Sequence, residues 1–328
     1  MTEPGAEAHI LFAYALDGAG GGRALFADDI GREVKSERLT WVHLDATSPA
    51  TPNWLRQAAP ELDELIIAAL LADETRPRFL QFGDGSLIIL RGVNLNPGAE
   101  PDDMVSTRLW VDSNGIISLQ RRDLHGVSDI RARLQAGNGP RNSGEFMAML
   151  VHALLDRIEP VLDELEEVAD NVEARVFDRP DASLRQMIVS VRQQAVAFRR
   201  YLSPQRDVTR AVPVSDLSWL GTLQRRGLNE SHDRLTRYVE ELDAIRDRTQ
   251  IVQDELSNQL TERLNKNIFI LSAISAIFIP LSFITGLFGI NVMGIPGAQH
   301  ANAFAIFSGL LAVVFLVQIL IFKKLKWF

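Results

Sequence analysis

Hydroxyl and glycine residues recur on one face of a stretch near the C-terminus, where they could guide a cation. At 100° per residue, a helix there would place on this face Leu271, Ser275, Phe278, Ser282, Thr285, Gly286 and Gly289. Two interpretations remain open. Small and hydroxyl residues favour close packing between membrane helices. The same stripe could instead line a pore made by several copies of the helix, since two spans alone cannot enclose one.

Other pairs of metal-ligating residue types favour structural roles. His152 and Asp156 are four residues apart, and His43 and Asp45 share one face of a predicted strand. Acidic residues cluster at Glu61-Leu62-Asp63-Glu64 and at Asp73-Glu74, where carboxylates could hold a hard cation. Such pairs and runs of charged residues are more often solvated side chains on the surface than metal ligands. They therefore predict no metal site.

The sequence predicts a protein that is not an enzyme. It contains no G-x-S-x-G, H-E-x-x-H, Walker or G-x-G-x-x-G motif, and nothing pairs a nucleophile with a base. The absence of cysteine excludes disulfide scaffolds, iron–sulfur clusters and thiol catalysis. We therefore expect no cofactor.

The charge is divided between two regions. All 42 Asp and Glu residues precede Lys266, and the part before residue 268 has a net charge of −11, whereas residues 268–328 carry +3. This division excludes a purely soluble protein. It also argues against nucleic acid as a partner, because that partner requires a basic surface. The first ten residues lack a basic and an apolar segment, which predicts no signal peptide.

Two uncharged runs are long enough to cross a membrane. The first, residues 268–290, would span roughly 34 Å as a helix, against about 30 Å for a bilayer core. The second covers residues 303–322, and the outer loop 291–302 between them has no Lys or Arg. Basic residues instead flank the hairpin at Arg263, Lys266 and Lys323. The positive-inside rule therefore predicts that both termini are cytoplasmic.

The residues before the spans predict an α+β organisation. Residues 1–142 have the pattern of an α/β domain, residues 143–266 that of a helical and stalk region, and residues 267–328 form the hairpin. The N-terminal part predicts strands at 9–16, 23–26, 40–46, 79–82, 87–95, 106–111 and 116–120, and helices at 52–58, 61–73 and 126–136. Asn114-Gly115 is a strong hairpin signal.

The stalk region predicts long helices at 145–178 and 182–202, the second ending at Ser203-Pro204. From Asn229 to Gly289 a single helix could form a rod of about 90 Å. It carries a heptad seam, which fits self-association or packing on the chain's own helices and consists of Leu235, Tyr238, Leu242, Ile245, Thr249, Val252 and Leu256.

These features resemble the CorA metal-ion transporters. Gly289-Ile290-Asn291 stands where the magnesium members usually carry Gly-Met-Asn. The zinc-associated ZntB branch is more similar around it, at 285–289 and 294–297, and in two soluble stretches, 74–78 and 199–207. Met293 departs from the glycine expected there, and the outer loop lacks the acidic residues usual in magnesium members.

The resemblance implies a homopentamer in the cell inner membrane, with a cytoplasmic funnel and a pore lined by the first span. It implies transport of divalent cations, with Zn²⁺ as substrate, coupling to protons as an option, and Mg²⁺, Co²⁺, Ni²⁺ and Cd²⁺ as further substrates. Gly289, Ile290 and Asn291 would form the selectivity motif, and His300 would bind metal at the entrance. The alternatives are a magnesium or cobalt channel of the CorA type and a membrane-anchored sensor or scaffold. Lipid and a second copy of the chain are the remaining expected partners.

Overall fold

The computed structural model describes residues 9–26, 28–36, 38–60, 62–290 and 301–324. The chain divides into two compact units. The first comprises the residues up to Arg179 together with Ser183–Gln253, and the second comprises Pro180–Ala182 and the residues from Asp254 onward.

The first unit is built on a mixed seven-stranded sheet. Its strands are β1 (Ile10–Leu16), β2 (Gly22–Ala24), β3 (Thr40–Asp45), β4 (Arg78–Phe82), β5 (Gly85–Gly92), β6 (Val105–Val111) and β7 (Gly115–Gln120). They lie in the order β2-β1-β3-β7-β6-β5-β4. β3 pairs with β7 in parallel, and the other neighbours are antiparallel. The predicted hairpin at Asn114-Gly115 is confirmed as the β6–β7 turn.

Short helices flank this sheet. They are α1 (Asp28–Glu33), α2 (Thr51–Ala58), α3 (Glu64–Leu71) and α4 (His125–Gln135). Leu55, Ile67 and Leu70 pack with Val42 and Leu44 on one face of the sheet. Helix α1 was not predicted, because its sequence, DDIGRE, is charged and has no apolar period.

The other face of the sheet supports the long helices. These are α5 (Ser143–Asp178), α6 (Leu184–Val214) and α7 (Thr222–Gly289). Trp41 of β3 is fully buried and meets the Phe146 ring of α5 edge-on at 4.9 Å between ring centroids. One core therefore continues from the sheet into the helical region.

The predicted end of α6 at Ser203-Pro204 is wrong, because the helix continues to Val214. Pro204 lacks the N–H that an interior helical residue donates. Leu202, Gln205 and Val208 around it are all buried. The Gln205 side chain also accepts a hydrogen bond from the backbone N–H of Arg91 at 2.6 Å. Tertiary packing thus holds the turn that proline weakens.

The heptad seam of α7 is buried within a single chain. Leu235, Tyr238, Leu242 and Ile245 belong to the main hydrophobic core, and Thr249 and Val252 are buried as well. The seam is therefore used for packing on the chain's own helices, and self-association must use other faces.

The second unit contains the end of α7 and α8 (Ala303–Lys324). α7 continues without a break through Pro280 to Gly289. Both helices are long and apolar enough to span a membrane, and only 6% and 0% of their apolar windows are buried. They are therefore not core helices of the chain.

Candidate transport site

The stripe of small and hydroxyl residues is open in the single chain. Leu271 and Phe278 are 66% and 61% exposed, Ser275 is partly exposed, and the rest of the stripe is exposed. The structure thus places every described member of the predicted stripe on one uncovered face of α7.

The second span packs on a different face of α7. The rings of Phe288 and Phe307 lie 5.2 Å apart. Three of the less exposed positions of α7 here, Ile277, Leu281 and Ile284, share the side of Phe288. At 100° per residue this side lies roughly 120° from the centre of the stripe. Packing within the hairpin therefore does not use the stripe.

The glycines of the stripe are not closely packed against any residue that the structure describes. A Cβ atom added to Gly286 or Gly289 would meet nothing within 4 Å. Both residues lie in regular helix and have no positive φ. Among the described residues, nothing therefore requires a small residue at these two positions.

The hydroxyl groups of the stripe present oxygen atoms outward. The Thr285 Oγ1–H donates to the carbonyl of Ser282 at 3.0 Å, which satisfies the donor within the helix. Its lone pairs remain available on the exposed face. Oxygen ligands of this kind suit hydrated divalent cations.

The selectivity motif is only partly described. α7 ends at Gly289, and Ile290 follows as an exposed residue. Asn291 and His300 lie outside the described residues, so their predicted roles stay predictions.

The alternative metal candidates have structural partners. Arg234 donates to Asp156 at 3.0 Å and to Glu159 at 2.8 Å, and it also lies 3.3 Å from the Nδ1 of His152. His152 and Asp156 thus belong to an ion-pair cluster between α5 and α7, which agrees with the structural role expected for them.

The acidic clusters have similar roles. Asp63 caps α3 by accepting from the N–H of Ile66 at 2.8 Å, and Glu64 pairs with Arg56 at 2.6 Å. Asp73 pairs with Arg121 at 2.8 Å. Glu61 lies outside the described residues. In the part of the chain that the structure describes, no group of three His, Cys, Asp or Glu residues is arranged to hold a metal ion.

His43 is a buried core residue. Its Nδ1 lies 2.7 Å from the Ser118 hydroxyl, and its ring stacks on Phe12 at 4.7 Å. Burial lowers the pKa of His43 from 6.5 to about 4, so the ring is neutral at pH 7. Asp45 does not join it, because its carboxylate accepts from the N–H and hydroxyl of Thr47.

No role for Arg91 was predicted from the sequence, although this residue connects the two soluble stretches, 74–78 and 199–207, that carry part of the resemblance. Its guanidinium donates to the carbonyls of Thr75 at 2.7 Å and Met104 at 2.5 Å. It also lies over the ring of Tyr201. Stretches 74–78 and 199–207 therefore meet at one buried arginine. A lone Arg inside the apolar strand pattern of β5 was the available signal.

Comparisons with known proteins agree with this architecture. The model of the family described as "CorA-like Mg2+ transporter protein" matches residues 36–324. The divalent cation transporter CmaX of Pseudomonas aeruginosa is 40% identical over 328 residues, covering 99% of this chain and 98% of that protein. The zinc transport protein ZntB of Pectobacterium atrosepticum is 36% identical over 323 residues, covering 97% and 95%.

Solved structures extend the similarity to the fold. The full-length CmaX structure matches with a TM-score of 0.86 and 39% identity, covering 99% of this chain and 100% of that one. The CorA magnesium transporter of Methanocaldococcus jannaschii matches with a TM-score of 0.78 and 17% identity, covering 97% and 99%, and shows the shared fold alone. On the family match and the near full-length relatives, the chain is a membrane protein and belongs to the CorA family of divalent-cation transporters.

Proposed function

We propose that the protein is a homopentamer that carries Zn²⁺ across the cell inner membrane, through a pore lined by the first span. The observation that carries this proposal is the open stripe on α7, which faces away from the second span. Two spans cannot enclose a pore, so five copies of α7 would have to bring their stripes together around an axis. Gly286 and Gly289, which no described residue requires to be small, would then face that axis.

The residue types fit passage of a hydrated cation. Zinc usually prefers nitrogen and sulfur ligands, and the stripe offers only oxygen. Amide oxygens from a ring of Asn291, with hydroxyls of Ser282 and Thr285 further along, could hydrogen-bond the water shell without removing it. Leu271 and Phe278 could close the pore by excluding water. His300 would supply a nitrogen ligand at the entrance.

Charge favours entry of cations from outside. With both termini cytoplasmic, an inside-negative potential contributes about 2.3 kcal/mol per charge per 100 mV, hence roughly 4.6 kcal/mol for a divalent ion. The net charge of −11 before residue 268 would attract cations at the inner mouth. Neither predicted span contains Asp, Glu, Lys, Arg or His, so any coupling to protons would use groups outside the spans.

A channel for Mg²⁺ or Co²⁺ is the second candidate. It is supported by the description of the matching family and by an all-oxygen stripe, the ligand type that Mg²⁺ prefers. The zinc proposal draws its support from the ZntB relatives and from an outer loop without acidic residues.

Metal flux into proteoliposomes separates these proposals. We expect Zn²⁺ uptake that exceeds Mg²⁺ uptake, measured with and without a pH gradient. Asn291→Ala should reduce the flux at least tenfold, whereas Asn302→Ala, a matched change beyond the motif, should retain it. Mg²⁺ uptake without Zn²⁺ uptake would establish the second candidate. Unchanged flux in Asn291→Ala would remove the assignment of the selectivity motif.

A further inference from the structure

The two long helices of the first unit carry opposite charge. α5 contains ten acidic and two basic residues, whereas α6 contains six arginines and a single acidic residue, Asp207. Such a difference between neighbouring helices gives the unit two faces of opposite sign.

Helix α7 separates these two faces. On one flank of its buried seam, Arg234 pairs with Asp156 at 3.0 Å and Arg248 pairs with Asp170 at 2.6 Å, both on α5. On the other flank, Asp243 pairs with Arg199 of α6 at 2.5 Å. Positions 234, 241 and 248 are one heptad apart, as are 243 and 250. The residues of α7 that pair with α5 therefore lie on one side of the seam, and the residues that pair with α6 lie on the other.

On the α5 side, four further carboxylates take part in no ion pair among the described residues. We define the acidic flank as Asp163, Glu166, Glu167 and Glu241, all of them exposed. Among the described residues, no ion pair involves these four carboxylates. Burial raises the pKa of the Glu241 carboxyl, the charges of Glu166 and Asp163 raise it further, and the charge of Arg237 offsets only part of this rise. The acidic flank thus repels itself in a single chain.

The α6 side is basic and partly apolar. We define the basic flank as Val189, Arg192, Val196 and Arg200, which recur every three or four residues on α6. Val189 and Val196 are 37% and 48% exposed, and the four residues line an open cavity of about 540 Å³. Within the described ranges, neither Arg192 nor Arg200 pairs with a carboxylate; Arg192 donates to the amide oxygen of Gln250 instead.

We propose that the basic flank of one copy docks on the acidic flank of the next copy around the ring. This inference rests on the homopentamer of the proposed function and identifies its cytoplasmic contact. The two flanks differ, so the contact is head-to-tail, the kind that closes into a ring. Opposite charge sets the register, and the exposed valines supply apolar area that a single chain leaves uncovered.

Cross-linking tests the contact directly, because the chain has no cysteine. Full-length Glu166→Cys/Val196→Cys protein, treated with a short bis-maleimide in mild detergent, should give a ladder of products up to five chains. Each single variant should stay monomeric, as should Arg133→Cys/Val196→Cys, whose first site lies on exposed α4. No ladder in the double variant would overturn the proposal. Dimers in Val196→Cys alone would also overturn it, because they indicate a symmetric contact.

Charge reversal supplies the second test. Arg192→Glu/Arg200→Glu, added to the cross-linking pair, should lower the ladder yield about tenfold. Adding Asp163→Arg/Glu167→Arg should restore it. Arg133→Glu/Arg226→Glu, with the same change in net charge, should leave it unaffected. Thermal unfolding of each variant checks that the fold is retained, and equal yields in all of them would contradict the charge pairing.

Flux distinguishes failure of this contact from failure of the proposed function. Zn²⁺ flux without a ladder would overturn the contact and leave transport standing. A ladder without flux of any divalent cation would support the contact and count against transport. If added Mg²⁺ or Zn²⁺ bound the acidic flank and abolished the ladder of the intact double variant, that flank would be a cation site, and the docking proposal would be wrong.

Discussion

The guanidinium carbon of Arg91 lies 4.1 Å from the centre of the Tyr201 ring. The contact joins strand β5 to helix α6, and the same guanidinium binds the carbonyls of Thr75 and Met104. No carboxylate among the described residues forms an ion pair with this guanidinium. Burial lowers the pKa of Arg91, although not enough to discharge an arginine at neutral pH. The fold thus uses a cation to bind carbonyl oxygens and an aromatic face.

Arg91→Ala should destabilise the protein by about 3 kcal/mol. The change leaves two buried carbonyls without donors, at about 1–3 kcal/mol each, and removes a cation–π contact that contributes about 0.5–2 kcal/mol. Arg91→Lys should recover only part of the loss, because an ammonium cannot reproduce the planar fork. Thermal unfolding followed by tryptophan fluorescence would measure it. The control is Arg78→Ala, an exposed change in the adjoining stretch; an equal effect of both changes would disprove the role of Arg91.

Acid should destabilise the protein through His43. The pKa of His43 is about 4 in the folded protein, whereas an unperturbed histidine in the unfolded chain has a pKa of 6.5. As the pH falls, the unfolded chain therefore binds the proton before the folded protein does. Stability contributed by the neutral ring is therefore complete above pH 6.5 and is lost progressively towards pH 4, by about 3 kcal/mol in total. His43→Gln should remove this part of the pH dependence.

Unfolding free energies of the His43 variant would be measured across that pH range. His152→Gln is the matched control, because its side chain is 58% exposed. If the unfolding free energy of His43→Gln fell as steeply with pH as that of the natural sequence, another group would control acid stability.

Gly286→Leu should abolish cation flux while leaving the chain folded. A Cβ atom added at Gly286 meets no described residue within 4 Å, so we expect neighbouring copies or the pore itself to be what a larger side chain obstructs. Gly309→Leu on the second span is matched, since that glycine is also helical and a Cβ atom added to it would meet nothing within 4 Å. Flux should survive this second change. Equal flux in both variants would mean that position 286 does not face the pore.

Asn142→Ala should cost about 1 kcal/mol of unfolding free energy. The Asn142 side chain accepts from the N–H of Glu145 at 2.8 Å, and Glu145 accepts in turn from the N–H of Arg141 at 2.8 Å. This reciprocal cap begins the 36-residue helix α5. Chemical denaturation would measure the loss. Asn138→Ala, in the exposed loop just before the cap, should change stability by a few tenths of a kcal/mol at most.

Local sequence signals predicted most of the strands and the two spans. Alternating apolar residues and Asn114-Gly115 placed β6 and β7, because a tight turn of this type needs little help from distant residues. The same local rule failed at Pro204. There the buried residues Leu202 and Val208, together with the Gln205 side chain, outweigh the missing donor. That compensation comes from β5, more than 100 residues away in sequence.

For the candidate site, the sequence predicted which residues share a face but not what surrounds that face. Helical periodicity was enough to collect Ser275, Ser282 and Thr285 on one face. It could not show which face of α7 the second span covers, and the contact between Phe288 and Phe307 supplies that information. The junction at Arg91 depends on three segments meeting in space, and no spacing in the sequence encodes such a meeting.

The parallel pairing of β3 with β7 also has a consequence for biosynthesis. β3 lies inside the sheet, between β1 and β7, and its Trp41 and His43 both bind the hydroxyl of Ser118, 75 or more residues later. The sheet cannot close until about 120 residues have left the ribosome, since a parallel pair of this kind must wait for its partner. Both apolar spans follow β7 by more than 140 residues, so every strand of the sheet has left the ribosome before the spans are made.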